Sequence, residues 1–333
     1  MEYRALGRTG LRVSMLGFGC GNVGGLIIRG EHQDRVRAVA RAMEAGINYF
    51  DTAPSYGDGQ SEQHLGQVLR ELRANVLVGT KVRIAPEELG DLRGAITRSV
   101  EASLQRLGRE VVDLIQLHNH ITRRRETADP TLSVQDVLGA VVDTFRQLQT
   151  QGKVRYYGIT ALGETAALHE VIDSGVLYTA QVCYNLLNPS AGQPVPAGFP
   201  SQNFGQLIDR AAGKEMGCIG IRVLAAGALS GVEARHPIAV PSVAPIGTGP
   251  DYQADVRLAQ TLNFLVEEGY AESLVEAAIR FAWSKPGIST ALVGFSSREH
   301  LDQALAAAER GGLAAEALPQ LTQAWQGFAA RRF

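Results

Sequence analysis

Four side chains that can hold or move protons, Asp51, Tyr56, Lys81 and His118, are spaced so that three of them sit just past short apolar runs. The runs are Ile47-Asn48-Tyr49-Phe50, Val76-Leu77-Val78-Gly79-Thr80 and Asp113-Leu114-Ile115-Gln116-Leu117, each reading as a buried β-strand. Tyr56 follows Asp51 by five residues in the same loop. A parallel barrel gathers the C-terminal ends of its strands on one rim, so an acid, a phenol, an amine and an imidazole delivered there share one polar site. That placement points to an oxidoreductase. Taken singly, an Asp after a strand is most often a turn or helix cap, and a loop Tyr is most often packing. The combination carries the reading.

The elements that must position these residues alternate along most of the chain. Glu2–Leu6, the turn Gly7-Arg8-Thr9-Gly10 and Leu11–Ser14 read as a hairpin, expected to close the barrel bottom. Strands follow at Met15–Gly19 and near 47–50, 76–80, 113–117, 156–160, 179–183, 218–223 and 290–294, spaced to leave one helix between neighbours. Helices are expected over His32–Ala45, Asp91–Leu107 and Ser133–Gln151, each stopped by a glycine, and over Glu272–Ser284 before Lys285-Pro286-Gly287. Leu92, Ile96, Val100 and Leu104 form one apolar stripe. Gly17-Phe18-Gly19-Cys20-Gly21 comes close to a dinucleotide fingerprint, but no helix follows at once. The expected fold is a single-domain (β/α)8 TIM barrel over residues 1–333.

Two Gly/Pro-rich stretches, Asn188–Ser201 and Val232–Pro250, follow expected strands and should lie over the C-terminal rim as pocket-shaping loops. Composition narrows the field further. The 333 residues are 45% apolar and 20% charged, with a net charge of −2, which gives nucleic-acid binding no support. Neither a membrane span nor a secretory signal is indicated. Cys20, Cys183 and Cys218 form no metal pattern and no disulfide framework, and suit a reducing cytoplasm.

Gly46-Ile47-Asn48-Tyr49-Phe50-Asp51-Thr52-Ala53-Pro54-Ser55-Tyr56-Gly57 resembles the first signature of the aldo-keto reductase family, and Ser61-Glu62-Gln63-His64-Leu65-Gly66 continues it. Thr80-Lys81 and Leu117-His118 match the other two catalytic positions, and Gln181, Tyr184–Asn188 and Leu292–Gln303 extend the match over almost the whole chain. The resemblance implies a (β/α)8 barrel that binds NAD(P)H in extended form and reduces aldehydes or ketones, or oxidises alcohols in reverse.

The physics of the four residues agrees. Hydride transfer to a carbonyl leaves charge on oxygen, which needs a proton donor at hydrogen-bond distance. A free phenol has a pKa of about 10, and a neighbouring Lys81 ammonium is expected to lower that of Tyr56. Asp51 would hold Lys81 charged, and a neutral His118 would orient the substrate oxygen.

For the cofactor, the resemblance implies contacts from Gly21, Asn22 and Asp51, from Thr160 and Gln181, and from Ile221, Arg222 and Leu224. Gln181 stands where the family binds the nicotinamide amide; Ala161 replaces a usual Asn and Ile221 a common aromatic. Arg222, where Ser is common, is expected at the pyrophosphate or in a structural salt bridge. The last strand and its loop, with Gly294, Phe295, Ser296, Ser297, His300 and Gln303, match the segment that holds the adenosine phosphate. Ser296 stands where NADP-preferring relatives carry Arg or Lys, with Arg298 displaced by two residues and Ala304 replacing an Asn. NADP(H) is expected, with NAD(H) the open alternative.

Tyr56, His118 and Asn119 are expected to face the substrate, and hydrogen-bonding groups here suit a sugar-like alcohol. Arg123–Arg125 reads as a solvated run, and Cys20 and Cys183 as buried fillers. An NADPH-binding regulatory subunit of the channel-β type is the alternative to an enzyme.

Overall fold

The computed structural model describes residues 1–126, 130–246 and 248–330, and in it the alternating segments close into a parallel barrel. β1 (Tyr3–Ala5) and β2 (Arg12–Ser14) form the antiparallel hairpin. β3 (Leu16–Gly19), β4 (Tyr49–Asp51), β5 (Leu77–Val82) and β6 (Val112–Leu117) begin the barrel. A short parallel ladder of β7 (Ile121–Thr122) and β8 (Leu132–Ser133) interrupts the next loop. β9 (Val154–Thr160), β10 (Thr179–Cys183), β11 (Gly217–Ile221) and β12 (Ile288–Gly294) complete it. β12 closes on β3, with Ala291 opposite Leu16 and Gly294 opposite Gly19.

Several boundaries move. β5 continues to Val82, paired with Leu117, so Lys81 lies inside its strand, and Asp51 is the last residue of β4. Only His118 sits just past its strand. β11 stops at Ile221, because Arg222 takes a left-handed backbone, φ 56°. The helix expected over 133–151 contains a π-turn at Val137–Val141.

The helices otherwise follow local rules. Leu92–Leu107 starts with the Asp91 carboxylate accepting the Gly94 N–H at 2.9 Å and ends at left-handed Gly108. Its stripe of Leu92, Ile96, Val100 and Leu104 is buried. Leu274–Ser284 is capped by Ser273.

The hairpin plugs the barrel's N-terminal end. Leu6, Leu11 and Val13 pack on the interior side chains Tyr49, Leu114 and Ile219, each such burial giving about 1.5–3 kcal/mol. Arg8 ties the hairpin turn to the carbonyls of Lys214, Gly175 and Leu177 at 2.6–2.7 Å. The opposite, C-terminal rim is left for chemistry.

Of the two long rim loops, only Val232–Pro250 reaches the central cavity, through residues such as Arg235, His236 and Ile246. Asn188–Ser201 turns away, because Asn188 and Ser190 bond the Gln202 carbonyl while the Gln202 amide bonds Gly163 O at 2.7 Å. Among the described residues, no helix is long and apolar enough to cross a membrane.

Candidate active site

Asp51 ends β4 with its carboxylate buried inside the rim, and three donors converge on it. Lys81 Nζ donates to Oδ1. Gln181 Nε2 donates to Oδ2 at 2.6 Å, and the Tyr49 hydroxyl donates to the same oxygen at 3.3 Å. Lys81 also donates to Thr52 O at 2.8 Å, so the ammonium is fixed from two sides. Burial raises the Asp51 carboxyl, partly countered by Lys81, Gln181 and Tyr49. Burial alone would lower the Lys81 ammonium, but the Asp51 charge and the Tyr56 phenol outweigh it and leave it raised. Lys81 therefore stays charged.

Tyr56 is delivered by a turn whose Gly57, Asp58 and Gly59 are all left-handed, and Asn22 Oδ1 accepts the Gly57 N–H at 3.0 Å. The Lys81 Nζ lies 4.8 Å from the centre of the Tyr56 ring, and the His118 ring meets it edge-on at 5.9 Å. Here the geometry corrects an expectation. Burial raises the Tyr56 phenol, and although Lys81 opposes this, the net shift is upward, because desolvation of a phenolate exceeds the help of an ammonium already paired with Asp51. The Tyr56 phenol therefore keeps its proton in the neutral range. Burial, then Lys81, pushes His118 down to about 3, so its imidazole is neutral. Its buried Nδ1 has no hydrogen-bond partner among the described residues.

Tyr56, His118 and Asp51 open onto a cavity of about 730 Å³ that runs from the barrel centre to the start of the Arg298–Glu309 helix. Thr160, Gln181 and Ile221 line its inner end, and Gly21, Asn22, Arg222 and Leu224 also face it. Gly294, Phe295, Ser296, His300 and Gln303 line the outer stretch. Thr160 Oγ1 is buried without a partner among the described residues, which fits a hydrogen-bonding ligand such as a carboxamide.

Other expected site residues go elsewhere. Asn119 does not line the cavity: its amide bonds Ile84 N and O and Pro130 O at 2.8–2.9 Å, making it a buried clamp between loops. Ser297 caps the helix by accepting the His300 N–H, outside the lining. Lys81 acts from behind Tyr56. Ser296 lines the cavity, yet its hydroxyl is spent on Gly24 O at 2.7 Å. The Arg222 side chain bonds Ala244 O at 3.3 Å, and the groups acting on it include Cys183, Tyr56 and Asp255. Cys20 and Cys183 are buried fillers outside the lining.

Two contributors escaped the sequence reading. Tyr49 precedes Asp51 by two residues, so strand alternation places both inside the barrel, a signal that was available. His236 meets His300 edge-on at 5.6 Å across the outer cavity, but it comes from an irregular loop with no periodicity to expose it.

The model of the Aldo/keto reductase family matches residues 15–326. Among curated proteins, L-galactose dehydrogenase of Arabidopsis thaliana is 27% identical over 92% of this chain and 88% of its own length. L-glyceraldehyde 3-phosphate reductase of Escherichia coli O157:H7 is 26% identical over 97% and 92%. An aldo-keto reductase from Bacillus halodurans, solved in its holo form, superposes with a TM-score of 0.72 at 24% identity, covering 100% of this chain and 98% of that one, a likeness of fold. With the family match running through all eight barrel strands and the strand-end residues they carry, the chain belongs to the aldo/keto reductase family.

Proposed function

We propose that the protein is an NAD(P)-dependent oxidoreductase that reduces the carbonyl of a small aldehyde or ketone, or oxidises the corresponding alcohol, with Tyr56 as the general acid or base. The observation that carries this reading is the cavity that Tyr56 and a neutral His118 share, backed by the buried Lys81–Asp51 pair. A bound nicotinamide supplies the hydride in reduction. Tyr56 gives its phenolic proton to the carbonyl oxygen as charge builds there, and Lys81 stabilises the phenolate left behind. His118 holds the substrate oxygen by a hydrogen bond. Thr160 and Gln181 suit a carboxamide at the inner end, and His236 and His300 suit a phosphate at the outer end, which supports NADP(H), with NAD(H) the alternative. The barrel works as a single domain in this reading, and its three free buried thiols support a reducing cytoplasm. The two relatives are named for an uncharged sugar and for a phosphorylated aldehyde, so the substrate class turns on this chain's own cavity.

The test is NAD(P)H oxidation with a panel of aldehydes, comparing wild type with Tyr56→Phe. The expected loss in kcat is about 10²–10⁴-fold. Equal turnover by the two proteins defeats the assignment. Cofactor binding without Tyr56-dependent turnover favours the regulatory alternative.

A further inference from the structure

Arg222 stands first after β11 in a backbone conformation that costs a non-glycine residue about 1–2 kcal/mol. The surroundings hold it there. Its carbonyl accepts Asn185 Nδ2 at 2.9 Å and Ala225 N at 2.7 Å, while Asn185 Oδ1 is fixed by the amides of Leu187 and Asn188. Strain maintained in this way is a common mark of a functional position. Its effect is to place the guanidinium on the wall of the cavity that holds Tyr56 and His118.

That guanidinium has unspent donors. Among the described residues its side chain makes one hydrogen bond, the 3.3 Å contact with Ala244 O, and no ion pair. Asp255 acts on it from a distance, but the Asp255 carboxylate is taken by the Thr248 hydroxyl at 2.6 Å and the Gly249 amide at 2.7 Å. Asp51 is matched by Lys81. Burial pushes the nearby Cys183 thiol up to about 12, so it carries no charge. The other cavity arginine, Arg235, is held by Ala226 O and Val240 O and lies over the Tyr252 ring. A half-buried cation without a counter-ion is costly until an anion arrives, and the guanidinium fork matches carboxylate and phosphate oxygens. Arg222 lines the same cavity as Tyr56 and His118, and its charge acts on the Tyr56 phenol.

Building on Tyr56 as the proton donor, we propose that Arg222 binds a carboxylate or phosphate group of the carbonyl substrate, so that the enzyme selects anionic carbonyl compounds over neutral ones. The test measures kcat/KM with NADPH for matched pairs: succinate semialdehyde against butanal, and glyceraldehyde 3-phosphate against glyceraldehyde. Wild type should prefer the anionic member of at least one pair, and the preferred pair identifies the anion as carboxylate or phosphate. Arg222→Met should lower that preference about 100-fold, chiefly through KM, and Arg222→Lys should restore part of it. If Arg222→Met does not fold, inhibition of wild-type butanal reduction by succinate and inorganic phosphate, compared with Arg222→Lys, reads the same site. Competitive inhibition weakened in the lysine variant supports the assignment, and no inhibition opposes it. An unchanged anionic-to-neutral ratio in Arg222→Met overturns the proposal. So does an equal loss on both members with weakened NADPH binding, which would place Arg222 on the cofactor diphosphate. Absence of Tyr56-dependent turnover on any carbonyl would instead overturn the oxidoreductase reading itself.

Discussion

The Tyr49 hydroxyl occupies the space above Gly79 on the neighbouring strand, where a β-carbon would overlap the phenol oxygen. From there it donates to Asp51 Oδ2. The missing side chain at position 79 thus makes room for one of the three donors that hold the Asp51 carboxylate. Gly79→Ala should displace Tyr49 and destabilise the protein by about 1–3 kcal/mol, the range for overpacking a core. Tyr49→Phe removes only the hydrogen bond and should cost about 1 kcal/mol. Denaturant melts of the two variants check both values; equal stability of Gly79→Ala and wild type would refute the steric reading.

Lys81→Met leaves the Asp51 charge buried without its cation. Breaking such a pair costs about 3–5 kcal/mol. Because burial already raises the Asp51 carboxyl, loss of Lys81 should drive it further toward the neutral acid. The folded variant then binds a proton more readily than the unfolded chain, so its deficit relative to wild type should shrink as pH falls. Urea unfolding of both proteins at two pH values measures this, and Asp51→Asn combined with Lys81→Met should recover part of the loss.

His118 titrates near 3, against an ordinary value of 6.5, so it keeps one protonation state across the neutral range. The pH profile of kcat/KM should show no limb from His118 between about pH 5 and 9. Stability should respond differently. The unfolded chain protonates this histidine first, so its contribution to stability is complete above pH 6.5 and is lost as pH falls toward 3. His118→Gln should flatten that part of the stability curve while reducing turnover; an unaltered slope would show that other groups produce it.

His300 is held below its ordinary value by burial and by His236, so its ring is largely neutral above neutral pH. A 2′-phosphate bound beside it would stabilise the protonated His300 ring. Preference for NADPH over NADH should therefore rise as pH falls from about 8 to 6, where imidazole gains its charge. Fluorescence titrations with both cofactors measure the ratio, and His300→Gln should make it independent of pH.

Much of this was legible in the sequence because it is local. Strand runs, glycine stops and the order of Asp51, Tyr56, Lys81 and His118 depend on periodicity and short-range backbone preference, and they determined the barrel and its polar rim. Family resemblance added positions facing the cavity, Thr160, Gln181 and His300 among those that line it. Tertiary structure alone decided what those residues are free to do. Gln181 spends an amide proton on Asp51, 130 residues away, and Asn119 is consumed by backbone at Ile84 and Pro130. Arg222 is aimed by a strained turn that no propensity announces. The protonation states followed the same division. Residue types named the acids and bases, but desolvation by distant segments left Tyr56 raised and His118 near 3, because the cost of burying a charge depends on neighbours that only the closed barrel brings together.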